Sequence, residues 1–454
     1  MAQRIEEDSI GKIKIENDRL YGINTQRAVN NFHLTVNKTN IELIRQMAKI
    51  KYAAAIANEK VGRISHETAQ AIKEAAEEII AGDFDDQFVV PEIQGGAGTS
   101  TNMNVNEVIA NRGLNILGYN SGDYEHLSPQ DDVNAGQSTN DVYPSSGKLA
   151  ILEKSKTLDA ALDHMIAELD KKAEEFAKIK KIGRTQLQDA VPTTLGNTFK
   201  AYSNSMKRCK LQLNKSMNEL WELNLGGTAI GTGVNAAKGY KEYLYSELRK
   251  IYNVNVHPAD DLIDSTQNLD AYVRVSGSLK ALAVAISKMS HDLRLLSSGP
   301  RAGFDEIHLP ARQAGSSIMP GKVNPVIPEI ASQISFQIIG NDTTITLASE
   351  SGELELNAFE PVIFHNLFES EELMKNACYM LSDECISGIK ANKKKCDDYV
   401  NNSVETVTEL TPIIGYATAS RVVHESIDTG VDVYEILKKE HIYDPDMEET
   451  SKAN

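Results

Sequence analysis

The sequence is poor in cysteine and tryptophan, with four and one respectively, and it has no long uninterrupted apolar run. Its most apolar stretch, residues 279–296, is broken by Lys280, Lys288, Asp292 and Arg294, so it cannot span a bilayer. The first residues contain no apolar core of the kind that a secretory signal requires. Few cysteines and no signal together predict a cytoplasmic protein whose thiols are free.

Positive charge is also scarce, since 47 lysines and arginines oppose 64 acidic residues and give a net charge of -17. Such a chain repels nucleic acid and anionic membranes, and we expect neither as a partner. An anionic ligand must therefore be bound by locally placed cations and amide donors. The ten histidines are scattered without HxxxH spacing, so we predict no metal site, and we expect no cofactor.

The sequence is rich in helical periodicity. Apolar residues recur every three or four positions in residues 41–61, 158–176, 200–223 and 371–389. Some of these runs lie within stretches of more than about 25 residues without proline or glycine, which are typical of a long helical bundle. Strand signals are weak and terminal, at residues 12–15. We predict a mainly α fold with domains at 1–138, 139–392 and 393–454.

One predicted helix, residues 273–296, is apolar around most of its circumference. It carries Val275, Leu279, Ile286 and Leu293 among other apolar residues. A helix of this kind is normally buried on all sides. We therefore expect a bundle centre or a subunit interface here, and an oligomeric protein.

Four polar loops that contain glycine or proline each precede a helical pattern: residues 94–104, 137–144, 183–196 and 315–329. Unpaired N–H groups at helix starts bind anions, and serine and threonine hydroxyls add donors. Plain helix capping explains any one loop taken alone. Capping does not explain why Ser316, Ser317, Lys322 and Asn324 fall within ten residues.

Nucleotide-binding motifs fail on spacing. A P-loop has four residues between its glycines and a hydroxyl after its lysine, whereas five residues separate Gly315 from Gly321 and Val323 follows Lys322. The glycine pair Gly96 and Gly98 has no third glycine at the dinucleotide-binding spacing.

The four loops resemble the motifs of the aspartase/fumarase superfamily. The loop GSSIMPGKVNP at 315–325 is similar to its signature loop, and GAGTSTNMN at 96–104, STND at 138–141 and GRTQLQDA at 183–190 match in order. The resemblance extends from Arg4 to about residue 420. It implies three mostly helical domains, whose central long helices form the core of a homotetramer with active sites shared between three subunits.

The resemblance also implies a chemistry, in which a proton leaves the carbon beside a carboxylate and a group then leaves the adjacent carbon. The dianionic aci-carboxylate that forms needs several donors aimed at one carboxylate. By resemblance, Ser316 is the general base. Thr99, Ser138 and Thr139 donate to that carboxylate, Lys322 and Asn324 hold the other carboxylate, and Asn140 and Thr185 lie near the leaving group. The resemblance also implies that Ser317 and Gln186 bind substrate and that Gln186 pairs with the carboxylate of Glu329.

A serine hydroxyl is a weak base at neutral pH. Ser316 can act only if loop amides and a nearby cation stabilise its alkoxide, and Lys322 is the natural cation. Gly315 and Gly321 indicate a loop that closes on the substrate.

Gln186 distinguishes the two main activities of the superfamily. Fumarases generally have histidine there to protonate departing hydroxide, whereas ammonia leaves without an acid and glutamine cannot titrate. The resemblance therefore implies an ammonia-lyase acting on L-aspartate, fumarate and ammonia. The alternatives are a class II fumarase and, more remotely, a non-catalytic structural homologue. The polar tail after Tyr443 is shorter than is typical of aspartases, and any role for it stays open.

Overall fold

A computed structural model describes residues 2–34 and 37–444. Within them the helices are α1 Ile23–Asn31, α2 Ile41–Lys60, α3 His66–Ala81, α4 Thr99–Ile116, α5 Thr139–Glu175, α6 Leu195–Asn218, α7 Tyr240–Tyr252, α8 Asp264–Gln267, α9 Asp270–Leu296, α10 Val326–Glu350, α11 Glu360–Glu384, α12 Lys393–Asn401, α13 Thr411–Ile414, α14 Tyr416–Thr429 and α15 Val433–Lys439. The strands are β1 Gln3–Asp8, β2 Gly11–Glu16, β3 Lys180–Thr185, β4 Gln188–Thr194, β5 Glu222–Leu223, β6 His257–Pro258, β7 Ile307–His308 and β8 Lys390–Ala391.

The predicted mainly α fold is confirmed. Five helices, α5, α6, α9, α10 and α11, have 37, 24, 27, 25 and 25 residues. They include most of the apolar periodicity that the sequence shows, and α2 matches the predicted helix almost residue for residue. The periodic runs extend slightly past two helix ends, where short 3-10 turns follow α6 and α11.

Most apolar residues of α9 are covered by the chain itself, whereas Val284 and Leu295 are 53% and 42% exposed. Val275, Leu279, Ile286 and Leu293 are all buried within the single chain. The prediction of a buried helix is confirmed for these residues, which give no separate support to an oligomer, but burial on all sides is wrong at Val284 and Leu295.

Two β-hairpins occur, one at the N-terminus and one in the middle of the sequence. β1 and β2 form the predicted N-terminal hairpin, with Arg4 opposite Ile15. The antiparallel pair β3–β4 lies in the middle of the chain, so the expectation that strands would be only terminal is wrong. The strands are short, and Gly183 and Pro192 interrupt their apolar pattern.

The chain divides into two compact units. Unit one comprises residues 1–160, 209–283 and 334–375. In it α2 packs against α3, α4 and α7, and the buried residues of α2 include Leu43, Met47 and Ala54. The three-domain division stays a prediction.

Unit two comprises residues 161–208, 284–333 and 376–454. The β3–β4 hairpin packs against α12 and the 3-10 turn Val404–Leu410, and α14 and α15 share with this turn a core that includes Val422 and Leu437. Residues 445–454, most of the polar tail, lie outside the described residues. No helix in the described part of the chain is long and apolar enough to cross a membrane.

Candidate active site

The first candidate segment turns sharply into α4. Gly98 has φ 85° and precedes Thr99, the first residue of the helix. A side chain at Gly98 would place its Cβ 2.4 Å from the ring of Tyr143, so both the backbone angle and the close packing require glycine. Two of the first N–H groups of α4 have partners in this segment, since Thr99 N donates to Gly96 O at 2.9 Å and Thr101 N donates to Gln94 Oε1 at 3.0 Å.

The second segment begins α5 with two hydroxyl groups that act as acceptors. Ser138 Oγ accepts from Asn140 N at 3.2 Å, and Thr139 Oγ1 accepts from Asn102 Nδ2 at 3.1 Å. A hydroxyl that uses a lone pair in this way keeps its hydrogen for donation. Ser138 and Thr139 are therefore suited to donating hydrogen bonds to an anion.

The carboxylate of Asp141 holds the same turn by accepting hydrogen bonds from backbone N–H groups. Its Oδ1 accepts from Ser138 N at 2.9 Å, and its Oδ2 accepts from Gly226 N and Thr228 N, both at 3.0 Å. Asn140 Nδ2 donates to Ala229 O at 2.8 Å. Burial raises the pKa of Asp141 to about 6, against these bonds and the charge of Lys51, which lower it.

The starts of α4 and α5 are neighbours within unit one. Asn102, one turn along α4, contacts Thr139, and Gly98 lies against Tyr143, one turn along α5. The structure thus brings Thr99 close to Ser138, Thr139 and Asn140. Sequence reasoning places all four at the substrate.

The signature loop is closed by its own backbone. Gly315 N donates to Lys322 O at 2.8 Å, and Asn324 Nδ2 donates to Gly315 O at 2.7 Å. A Cβ on Gly315 would lie 2.6 Å from Lys322 O, so glycine is required for this closure. The loop holds Ser316, Ser317, Lys322 and Asn324 together in unit two.

Ser316 lies in an environment that favours an oxyanion. Its Oγ accepts from Ile318 N at 3.2 Å and from Met319 N at 2.9 Å. Two N–H donors aimed at one hydroxyl oxygen stabilise negative charge there. These two N–H groups are the loop amides that a serine base at this position would need, and the role of Ser316 as the base stays a prediction.

A cavity of about 740 Å³ lies beside this loop. Its lining includes Lys322, Asn324, Glu329, Arg294 and His308. Glu329 Oε1 lies 3.6 Å from Arg294 Nη2, so this carboxylate has an arginine partner within the single chain. Thr185 and Gln186 are not among the residues that line this cavity, and the predicted pairing of Gln186 with Glu329 stays a prediction.

Thr185 and Gln186 occupy the tip of the β3–β4 hairpin. Thr185 pairs with Gln188, and the two residues between them, Gln186 and Leu187, have φ of 53° and 63°. Left-handed angles in side chains of this size store strain, a recurrent feature of functional sites. Both Thr185 and Gln186 are exposed in the single chain.

The base of this hairpin is anchored by a buried ion cluster. The carboxylate of Glu306, which is 0% exposed, lies 2.6 Å from Arg184 Nη1 and 3.3 Å from Lys181 Nζ. Arg184 also lies over the rings of Phe304 and Tyr399, 4.2 and 5.2 Å from their centroids. The cluster fixes the strand that leads to Thr185.

Sequence reasoning missed the polar residues that support these loops, among them Lys51, Asn134, Asp141 and Arg294. Lys51 could have been found, because it occupies the buried stripe of α2 four residues after Met47 and four before Ala55. Among residues 2–34 and 37–444 there is no cluster of three or more side chains of the types that hold a metal ion.

Known proteins are similar to this chain across the range that contains the four loops. Residues 11–340 match the family model described as lyase. The chain belongs to this lyase family. The resemblance of its sequence to the aspartase/fumarase superfamily is thereby confirmed.

Relatives in this family are similar over nearly the whole chain. The aspartate ammonia-lyase of Pseudomonas aeruginosa is 48% identical over 98% of this chain and 94% of its own length. The aspartate ammonia-lyase of Escherichia coli is 48% identical over 96% and 91%.

Solved structures of the family share the fold. A fumarate lyase:delta crystallin from Brucella melitensis bound to cobalt has a TM-score of 0.94 at 46% identity, covering 97% of this chain and 96% of that one. The class II fumarase of Schistosoma mansoni has a TM-score of 0.93 at 34% identity, covering 98% and 97%.

Proposed function

We infer that this chain is an aspartate ammonia-lyase, an enzyme that interconverts L-aspartate with fumarate and ammonia. The observation that carries this function is 48% identity over 98% of the chain to a relative of that name, with all four motif loops present. The class II fumarase among the similar structures is 34% identical. Gln186 favours the same activity, because an amide cannot protonate a departing hydroxide.

The first step removes a proton from the carbon beside one carboxylate. Ser316 as alkoxide takes this proton, and the N–H groups of Ile318 and Met319 support its charge before the transfer. The substrate carboxylate gains the electron pair and becomes a dianion. Ser138 and Thr139 donate to it, and their stabilisation grows as its charge grows, which is what lowers a barrier.

The second step breaks the carbon–nitrogen bond. The electron pair held by the aci-carboxylate forms the carbon–carbon double bond of fumarate, and the nitrogen leaves with its own bonding pair. Asn140 and Thr185 are proposed to lie near this leaving group. Lys322, Ser317 and Asn324 are proposed to hold the substrate at the signature loop, where an ammonium opposes the negative field of the chain.

We propose that the active enzyme is a homotetramer whose sites combine loops of three subunits. Several candidate residues, including Thr99, Thr185 and Lys322, are exposed in the single chain, although a site of this chemistry must exclude water. Exposed apolar side chains on the long helices, such as Leu211 and Leu347 at 58% each, support burial against other copies. A cytoplasmic location is proposed with it, and the buried thiols of Cys378, Cys385 and Cys396, which are in no disulfide, agree with a reducing compartment.

The test is direct. Purified protein is mixed with L-aspartate or with L-malate, and the absorbance band of fumarate is followed. Fumarate from L-aspartate supports the function. Fumarate from L-malate alone would make the chain a fumarase, and no fumarate from either would indicate a structural homologue.

A further inference from the structure

Lys51 is a lysine with no exposed surface in the middle of α2. Its Nζ donates to Asn134 Oδ1 at 2.9 Å and to Gln137 Oε1 at 3.0 Å. Both acceptors lie in the turn immediately before Ser138. A buried ammonium whose hydrogen-bonding partners are neutral amides is an expensive arrangement, so its position requires an explanation.

Hydrogen bonds connect Lys51 to the proposed substrate donor Thr139 through the side-chain oxygen of Asn134. Asn134 Oδ1 also accepts from Asn102 Nδ2 at 3.3 Å and from Asn106 Nδ2 at 3.2 Å. Asn102 Nδ2 in turn donates to Thr139 Oγ1 at 3.1 Å. Asn134 Nδ2 donates to Gln137 O at 3.2 Å, which fixes the backbone just before Ser138.

This cluster is not arranged for stability alone. Asn102 Oδ1 and Asn106 Oδ1 are buried and accept no hydrogen bond from a protein group in the described part of the chain. A buried acceptor without a hydrogen-bond donor lowers the stability of the fold. Apolar side chains of the same volume would stabilise the fold at least as well. The arrangement of the Asn102 and Asn106 amides therefore has a role other than stability.

The charge of Lys51 is a second way in which this side chain acts on the Ser138–Thr139 turn, beside its hydrogen bonds. The charged side chain that acts on it is Asp141, which itself holds Ser138 N. Burial lowers the pKa of Lys51 to about 7, against the attraction of Asp141, which raises it. At a pKa of about 7 the amine of Lys51 is charged in about half of the molecules at neutral pH. In its charged form it lies behind the turn of Ser138 and Thr139, in a region of low dielectric where its field is weakly screened.

We propose that Lys51 is a positioning residue of the lyase reaction, which orients the Thr139 and Ser138 donors through Asn134 and Asn102 and adds positive potential behind the carboxylate site. It does not touch the substrate. The inference rests on the proposed function, because the Ser138–Thr139 turn must bind the reacting carboxylate for this orientation to affect catalysis.

The first variant is Lys51→Met, which keeps the length of the side chain and removes the charge and the donors. Its kcat for L-aspartate should fall by about tenfold or more, and KM should change less, because the misplaced donors matter most when charge builds on the carboxylate. Lys49→Met, two residues away on the same helix and half-buried over the Tyr252 ring, is the matched control and should keep wild-type kinetics.

A second variant tests the same path if Lys51→Met does not fold. Asn102→Leu is similar in shape and leaves Lys51 and Asn134 in place, but it breaks the link to Thr139. It should lower kcat in the same way. If a folded Lys51→Met or Asn102→Leu enzyme has wild-type kcat and KM, the positioning role is overturned. Fumarate formation by the wild-type enzyme in the same assay still supports the proposed function in that case. A wild-type enzyme that makes no fumarate from L-aspartate overturns both.

Discussion

Arg184 Nη1 lies 2.6 Å from Oε1 of Glu306, a carboxylate with no exposed surface. This pair links β3, which leads to Thr185 and Gln186, to the segment before β7 within unit two. Because Lys181 Nζ also lies 3.3 Å from Glu306, one buried anion balances two cations. The stability of the hairpin therefore depends on a charge that nothing else in the cluster replaces.

Replacing Glu306 with glutamine should destabilise the protein strongly. The variant keeps the shape of the side chain but leaves Arg184 and Lys181 buried without a counter-charge, which costs about 3–5 kcal/mol. Thermal unfolding followed by circular dichroism measures the loss as a lower Tm. Glu384→Gln is the matched control, since Glu384 pairs with Arg312 at the same 2.6 Å but is half exposed. Its Tm should stay close to that of wild-type protein, and an equal drop in both variants would contradict the prediction.

Ser316→Ala should abolish turnover while the fold is kept. The side chain lies in an exposed loop and packs against no core, so stability should change little, whereas loss of the proton acceptor should reduce kcat by about a thousandfold or more. Fumarate formation from L-aspartate measures the activity, and circular dichroism confirms the fold. Ser317→Ala, at the adjacent exposed serine, should keep much more activity. Near-normal turnover in Ser316→Ala would refute the serine base.

The long helices could be predicted because their apolar residues repeat at the helical period. α2 follows this rule, with Leu43, Met47 and Ala54 on its buried side. The β3–β4 hairpin could not be predicted in this way. Its tip residues, Gln186 and Leu187, adopt left-handed angles without glycine or asparagine, so the usual turn signal is missing.

The active site likewise has residues that a local sequence pattern identifies and residues that it does not. Hydroxyls and glycines close together in the sequence, as in the loop of Ser316, identify the loops that face a ligand. The residues behind them are distant in sequence: Lys51 and Asn134 are 83 positions apart. No local pattern records such a contact, because it depends on how α2 packs against α4 and the turn before α5.

Gln186→His should not convert the enzyme into a fumarase. A histidine that protonates hydroxide needs a carboxylate to orient it and hold its proton, and Glu329 is paired with Arg294 at 3.6 Å. We expect continued turnover of L-aspartate and little or none of L-malate, both measured by fumarate absorbance. Gln188→His, at the other side of the same turn, controls for a general effect of histidine. Malate turnover comparable to that of L-aspartate in Gln186→His would show that the ion pair with Arg294 does not restrain Glu329.

Glu360 gives the protein a pH-dependent stability that glutamine should remove. This carboxyl at the start of α11 is buried, which raises its pKa to about 8, while the charge of Lys148 opposes the rise. The folded protein therefore holds a proton that the unfolded chain releases near pH 4.5, so stability falls as the pH rises from about 4.5 through about 8. The loss is on the order of a few kcal/mol. Between pH 6 and about 9, the Tm of wild-type protein should decrease relative to the Tm of Glu360→Gln, because Lys51, with its pKa lowered to about 7, contributes the opposite slope equally to both. Glu350→Gln, at an exposed residue of α10, should behave as wild type. Parallel profiles for all three proteins would mean that Glu360 does not bind its proton in this range.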